Sequence, residues 1–263
     1  RQALIDRIRE GAMGEIPLIR ANRLGGTWGL GNVGDKANDL MSQLDFGKIH
    51  LYWVGSGHFV DYLIHQIDEC CWIKDAWPVS AIGMAGRAAD SEDKGQNLDV
   101  YSIEYTFADG TKAFCGFRRM NRARSDFATY IHGTKCAAQF SGDVHAATVH
   151  MFKDQRIAKD NIAWTPTADV VSPWQYEWND FIASIRTDRP HNEARRAVYS
   201  DLTTLMGRAA CHTGQEVTWD QMMASRFQFC DYLDTLSENS PVPVKANAEG
   251  QFPVPVAGVW QEV

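Results

Sequence analysis

From Phe59 to Cys71 the apolar residues keep helical spacing. Phe59, Val60, Leu63, Ile64, Ile67, Cys70 and Cys71 fall within about 140° of one another on a wheel of about 100° per residue. Asp61, His65, Asp68 and Trp72 fall within about 60° on the opposite side. The pattern predicts a long helix with one buried face and a second stripe holding two acids and a histidine. Nearer the start, Leu4, Ile5 and Ile8, with Gly11 behind them, predict a short amphipathic helix. EIPLIRANRL then reads as a strand. Residues 25–48 are rich in Gly, Asn and Asp, which predicts a long loop with room for one short helix.

Beyond the long helix the period changes to two. PVSAIGMAGRA reads as a buried strand from its continuous small and apolar run. In DVYSIEYTF, Tyr101, Ile103, Tyr105 and Phe107 share one face, and Asp109-Gly110 supplies a hairpin turn. KAFCGFRRM, FATYIHG, CAAQFSG and TVHMF continue as short strands, and their short links imply a mostly antiparallel sheet. Helices return at Ser172-Pro173-Trp174-Gln175, a capping box with proline at the first helical position. Trp174, Trp178, Phe181, Ile182 and Ile185 follow at helical spacing. Asn192 caps a second helix that runs to His212, with Gly214 beyond, and Thr218 with Gln221 caps a third. This order predicts an α+β fold: a large, mostly antiparallel open sheet with helices packed on one face. Residues 1–239 are expected to form one unit. Residues 240–263, with Pro241, Pro243, Pro253 and Pro255 and no periodicity, are expected to lie over it as an extended arm.

The 263-residue chain is 44% hydrophobic and 22% charged, with a formal net charge of −7. That balance argues against a nucleic-acid or anionic-membrane surface. No apolar run approaches the ~20 residues of a membrane span. The six cysteines make no C-x-x-C pair, so free thiols in a reducing, cytoplasmic setting are expected. No clustered metal ligands stand out, and Cys211-His212 is the lone Cys/His neighbour pair. The chain opens at Arg1 in what reads as a helix entered part-way, so its natural start is expected to lie upstream.

Gly29 to Gly34, GLGNVG, has the G-x-G-x-x-G spacing of a dinucleotide loop. Such a loop needs a strand immediately before it, a helix opening from it, and a ribose-binding acid about 20 residues on. GGTW separates this one from its strand, and the next apolar stretch, IHLYWVG, ends in Gly55-Ser56. The expected role is a Gly-rich substrate loop holding Trp28, with no nicotinamide cofactor bound by this chain alone.

The stripe of Asp61 and His65 admits two readings. An i,i+4 acid–histidine pair can be a solvated helix face, which spacing alone favours. It can also be an acid/base site, the carboxylate fixing the imidazole tautomer and raising its basicity. Gly57, one turn earlier, removes a side chain where something could approach closely.

At these residues the sequence resembles a known family. SGHFVDYLIHQIDECCW is similar to the signature helix of the glucose–fructose oxidoreductase/inositol dehydrogenase family, G-G-x-x-x-D-x-G-x-H-x-x-D. Gly57, Asp61, His65 and Asp68 match in register, while Ser56 and Leu63 replace two of the glycines. IREGAMGEI and TGQEVTWDQMMAS resemble the segments that open and close that family's second domain. The resemblance covers about residues 1–230. It implies a fold like the C-terminal domain of dihydrodipicolinate reductase. It also implies a preceding Rossmann domain that binds NAD or NADP and supplies a lysine from an E-K-P motif, which this sequence lacks.

By position the resemblance makes His65 the general acid/base and Asp61 the residue that orients it. Trp28, Tyr52, Trp53, Asp68, Arg118, Arg119 and Arg122 become candidate substrate contacts. The expected activity is oxidation or reduction of a sugar, polyol or sugar derivative by the full-length protein. The alternatives are a glycoside hydrolase relative that uses transient oxidation, and a non-catalytic ligand-binding member. Relatives pair through the uncovered sheet face, so a homo-dimer or tetramer is expected, with Tyr, Phe and Ile of the alternating strands on that face.

Overall fold

The computed structural model describes residues 1–27, 37–142, 148–167 and 171–263. Helix α1 (Gln2–Arg9) leads into strand β1 (Leu18–Gly25). Two helices follow, α2 (Leu40–Phe46), capped by the Asp39 carboxylate on the Ser42 amide, and α3 (Gly57–Lys74). A run of strands comes next: β2 (Ser80–Gly86), β3 (Val100–Thr106), β4 (Lys112–Arg119), β5 (Asp126–His132), β6 (Ala137–Gly142), β7 (His150–Phe152) and β8 (Ile162–Trp164). The chain closes with α4 (Pro173–Thr187), α5 (Ala194–Thr213), β9 (Val217–Thr218) and α6 (Trp219–Ala224).

The nine described strands form one sheet in the order β8-β7-β6-β5-β1-β4-β3-β2-β9. Every neighbouring pair is antiparallel except β1 with β4. The α+β fold with a mostly antiparallel open sheet is therefore present as the pattern predicts. Helix α3 packs across β1, β4 and β5, and α5 packs on β2, β3 and α3. Phe59, Val60, Leu63, Ile67, Cys70 and Cys71 of α3 are buried as the wheel predicts, and Ile64 is half-buried. They meet Ile19 and Ala21 of β1 and the aromatic face of β3.

Two expectations about the sheet change. Tyr101, Ile103, Tyr105 and Phe107 do share a face, but it is the covered one, and all four are buried under the helices. The uncovered face is mixed instead. It carries exposed Ile82, Met84 and Phe114 beside polar pairs such as Asn22 with Asp126 and Lys112 with Glu104. For the same reason β2 is not a buried strand. Its run is continuously apolar, yet Met84 on the open face is 73% exposed.

Most of the terminal signals are borne out locally. Gly110 takes φ +85° in the hairpin turn, and its amide bonds the Phe107 carbonyl. Ser172 accepts from the Gln175 amide, though the Gln175 side chain turns to Asn179 rather than back to close the box, and Thr218 with Gln221 forms a full capping box. Asn192 is not the cap expected of it: α5 starts from Glu193, and Asn192, one position earlier, accepts from the Ala194 amide. Helix α4 departs from the pattern in its packing. None of its residues is buried, and Trp178 and Ile185 are 60% and 62% exposed. The arm after residue 239 is more than a surface cover. Phe252 completes a second cluster with Leu40, Leu51 and Trp53, and Glu262 is buried against α5. All six cysteines are buried and free.

Candidate functional site

Helix α3 positions the chemistry. Asp61 and His65 are solvent-exposed on the side of the helix turned away from the core. Tyr62, beside Asp61, is half-buried; the Arg23 guanidinium sits 5.4 Å over its ring and 3.5 Å over that of Phe127. The buried face fixes the helix, so the exposed face is presented on a rigid element. His58 lies on the same side, about 20° from His65 on the wheel but two turns nearer the helix start. There the stripe dives into the protein.

Gly57 begins α3 at φ +78°, a left-handed conformation that favours glycine. A Cβ there would come within 2.6 Å of the Tyr52 ring and 2.9 Å of Asn97 Oδ1. The close approach inferred at Gly57 is thus made by the protein's own Tyr52 and Asn97. Asn97 Oδ1 also accepts from the His58 amide, and its Nδ2 donates to the Ile49 carbonyl and to Asp93. This bridge locks the segment before α3 to the 87–99 loop.

The result is a dry polar cluster of His50, His58, Asp93 and Arg119, all buried. Arg119 Nη1 donates to Asp93 Oδ2 at 3.0 Å and also contacts His58 Nδ1. His50 Nδ1 lies 3.7 Å from Asp93 Oδ1, and His58 Nδ1 lies 3.8 Å from Asp93 Oδ2. Burial, with the Arg119 charge adding to it, pushes His58 down to about 3, so it is a neutral imidazole. Burial alone would raise Asp93, but His50 and Arg119 beside it hold the carboxyl well below the usual range. Asp93 and Arg119 also line a cavity of about 490 Å³, together with Asp90, Glu92, Asn121 and Arg122.

The remaining candidates separate. Arg122 sits exposed on the cavity, at φ +61°. Arg118 is on the open sheet face, with Nη2 donating to the Arg124 carbonyl. Asp68 ties α3 to α5: Arg196 Nη2 reaches both its oxygens at 2.9 Å, and Ser200 Oγ one of them at 2.6 Å. Trp53 is packed in the second cluster with its indole donating to Gln43 at 3.0 Å. Tyr52 is buried beside His212 and Tyr101. Trp28 and the Gly29–Gly34 loop lie outside the described residues.

Sequence reasoning did not find His50, His58 or Asp93. They come from a turn, a helix start and a loop, and no periodicity links them. Nor did it find the second buried network, in which Glu262 accepts from Arg208 and from His212, and His212 Nε2 meets Tyr101.

No protein-family model matches the chain, and no curated protein sequence does. Solved structures do. An aldose–aldose oxidoreductase from Caulobacter crescentus, complexed with glycerol, superposes with TM-score 0.62 at 13% identity, over 81% of this chain and 58% of its own. Myo-inositol 2-dehydrogenase from Lactobacillus plantarum gives 0.56 at 16% identity, over 82% and 60%. The WlbA dehydrogenase from Bordetella pertussis, in complex with NADH and UDP-GlcNAcA, gives 0.58 at 12% identity, over 82% and 58%. The chain has the fold of oxidoreductases of the glucose–fructose oxidoreductase/inositol dehydrogenase type. It spans about three-fifths of the length of these oxidoreductase chains. On this oxidoreductase fold the exposed Asp61/His65 face and the buried His58 cluster lie along one helix.

Proposed function

We propose that this chain is the substrate-binding, self-associating part of an oxidoreductase that uses NAD or NADP on a sugar, polyol or sugar derivative. The observation that carries the reading is the exposed Asp61 and His65 on a helix whose opposite face is fixed in the core. That donor set fits dehydrogenation, in which a carbinol loses a hydride from carbon and a proton from oxygen. The nicotinamide, when bound, supplies the hydride acceptor. His65 takes the hydroxyl proton, and Asp61, one turn away, orients the imidazole and stabilises its protonated form. Arg122, exposed on the 490 Å³ cavity, offers hydrogen-bond donors to substrate oxygens.

In this reading the cofactor sits on a further domain of the full-length polypeptide. The neighbours' greater length supports it, as does the exposed apolar stripe of α4, which a second domain would cover. The full-length protein should be screened with NAD and NADP against a panel of sugars and polyols. His65→Ala is expected to cut turnover by about 10²–10⁴-fold with an unchanged circular-dichroism spectrum. Near-normal turnover of that variant across about pH 6–9, which brackets the imidazole pKa, would refute the assignment.

A further inference from the structure

His50, His58 and Asp93 each present one metal-ligand atom, and the three atoms lie within 4.8 Å of one another. Two imidazoles and a carboxylate are a ligand set for zinc and its first-row relatives. His50 Nδ1 lies 3.7 Å from Asp93 Oδ1 and His58 Nδ1 lies 3.8 Å from Asp93 Oδ2, so each imidazole faces its own carboxylate oxygen, a little beyond the ~3.4 Å that ~2.1 Å bonds at tetrahedral angles would set. Small side-chain adjustments close that gap. The tautomer of His58 is suited to ligation as well. Arginine has donors only, so the His58 Nδ1 that meets Arg119 must present its lone pair, the electron pair a metal takes. The Phe46 ring stacks on His50 at 4.3 Å and holds it in place.

The Arg119 guanidinium now stands where a cation would. It is also part of the wall of the 490 Å³ cavity, which Asp90 and Glu92 line with exposed carboxylates. A displaced Arg119 therefore has counter-charges within the space it already borders. We propose that His50, His58 and Asp93 bind one divalent transition-metal ion in exchange for the Arg119 side chain, which swings into that cavity. The cluster gives up one positive charge and gains two, and Asp90 or Glu92 neutralises the arginine. Three protein ligands leave a fourth position open toward the cavity, where a water or substrate oxygen completes the tetrahedron. The site is distinct from Asp61 and His65, which are exposed farther along α3, so it stands or falls independently of the oxidoreductase reading.

The test uses the natural protein, stripped of metal with EDTA. It is titrated with Zn²⁺ by calorimetry and with Co²⁺ by visible absorption. One ion per chain is expected, with the intense Co²⁺ bands of a four-coordinate site. His58→Ala is expected to weaken binding by about 100-fold or more, and Arg119→Ala to tighten it by about tenfold or more, because no cation then has to leave. Should His58→Ala fail to fold, as judged by circular dichroism, His50→Ala replaces it. The proposal is overturned if neither the unmodified protein nor Arg119→Ala binds at about 100 μM Zn²⁺. It is equally overturned if binding persists unchanged in both histidine variants.

Discussion

Glu262 accepts from Arg208 Nε at 2.5 Å and from His212 Nδ1 at 2.6 Å while almost wholly buried, and the Trp260 indole donates to it at 3.0 Å. Burial alone would raise its pKa, but Arg208 and then His212 bring it down to about 2. A carboxylate depressed on folding stabilises the native state above its ordinary value and loses that contribution as pH falls toward the folded value. From an ordinary 4.5 to about 2, the difference corresponds to about 3 kcal/mol. Glu262→Gln should therefore lower stability by about 3 kcal/mol at pH 7, measured by urea denaturation. The gap should close between about pH 4.5 and 2, and a gap that does not vary with pH would show that ionisation contributes nothing. Nothing in the sequence marks this residue. Its charged partners lie about 50 positions earlier, and the tail around it has no periodicity to place it inside.

Single elements were far more legible than the clusters built between them. The wheel of residues 59–71 identified both faces of α3, because each apolar position needs the same core. Asp109-Gly110, Ser172 and Thr218 with Gln221 mark their turn and caps, because those signals act over a few residues, while Asn192 falls one position short of the α5 cap. The same locality explains the failures. A period of two says which strand residues share a face but not which face the helices cover, so Tyr101 and Tyr105 were expected on the wrong side. His50, His58, Asp93 and Arg119 meet only after four segments are placed. Helix α4 extends the point: its stripe has the expected helical spacing, but no described residue buries it. A 15-residue helix with no buried residue gains too little from backbone propensity to persist in water. If the further domain proposed for the oxidoreductase covers this stripe, Trp178→Ala should cost about 3 kcal/mol, the scale for a buried tryptophan, seen as a lower thermal midpoint. An unchanged midpoint would mean that the stripe stays wet.

At the scale of the molecule, the open sheet face sets the expected assembly. Ile82, Met84 and Phe114 are exposed there within a polar surround. They are interspersed with polar side chains: Glu104, paired with Lys112, sits opposite both Ile82 and Phe114. We expect a homo-oligomer paired through this face. Met84→Asp should raise its dissociation constant by about tenfold or more, read by light scattering over a concentration series. A species that is monomeric with and without the change would remove the interface.

Strand β1 pairs with β4 on one side and β5 on the other, with Leu18 opposite both Lys112 and His132. It is the earliest strand in the chain, yet it fills the middle of the sheet. On a ribosome adding about 5–20 residues per second, both partners emerge some 5–20 seconds after it. During that interval Ile19 and Ala21 have no sheet to join. The two halves of the sheet, β2 to β4 and β5 to β8, stay unconnected until this early segment slots between them. During synthesis β1 is thus held unpaired until both of its neighbours in the sheet have been made.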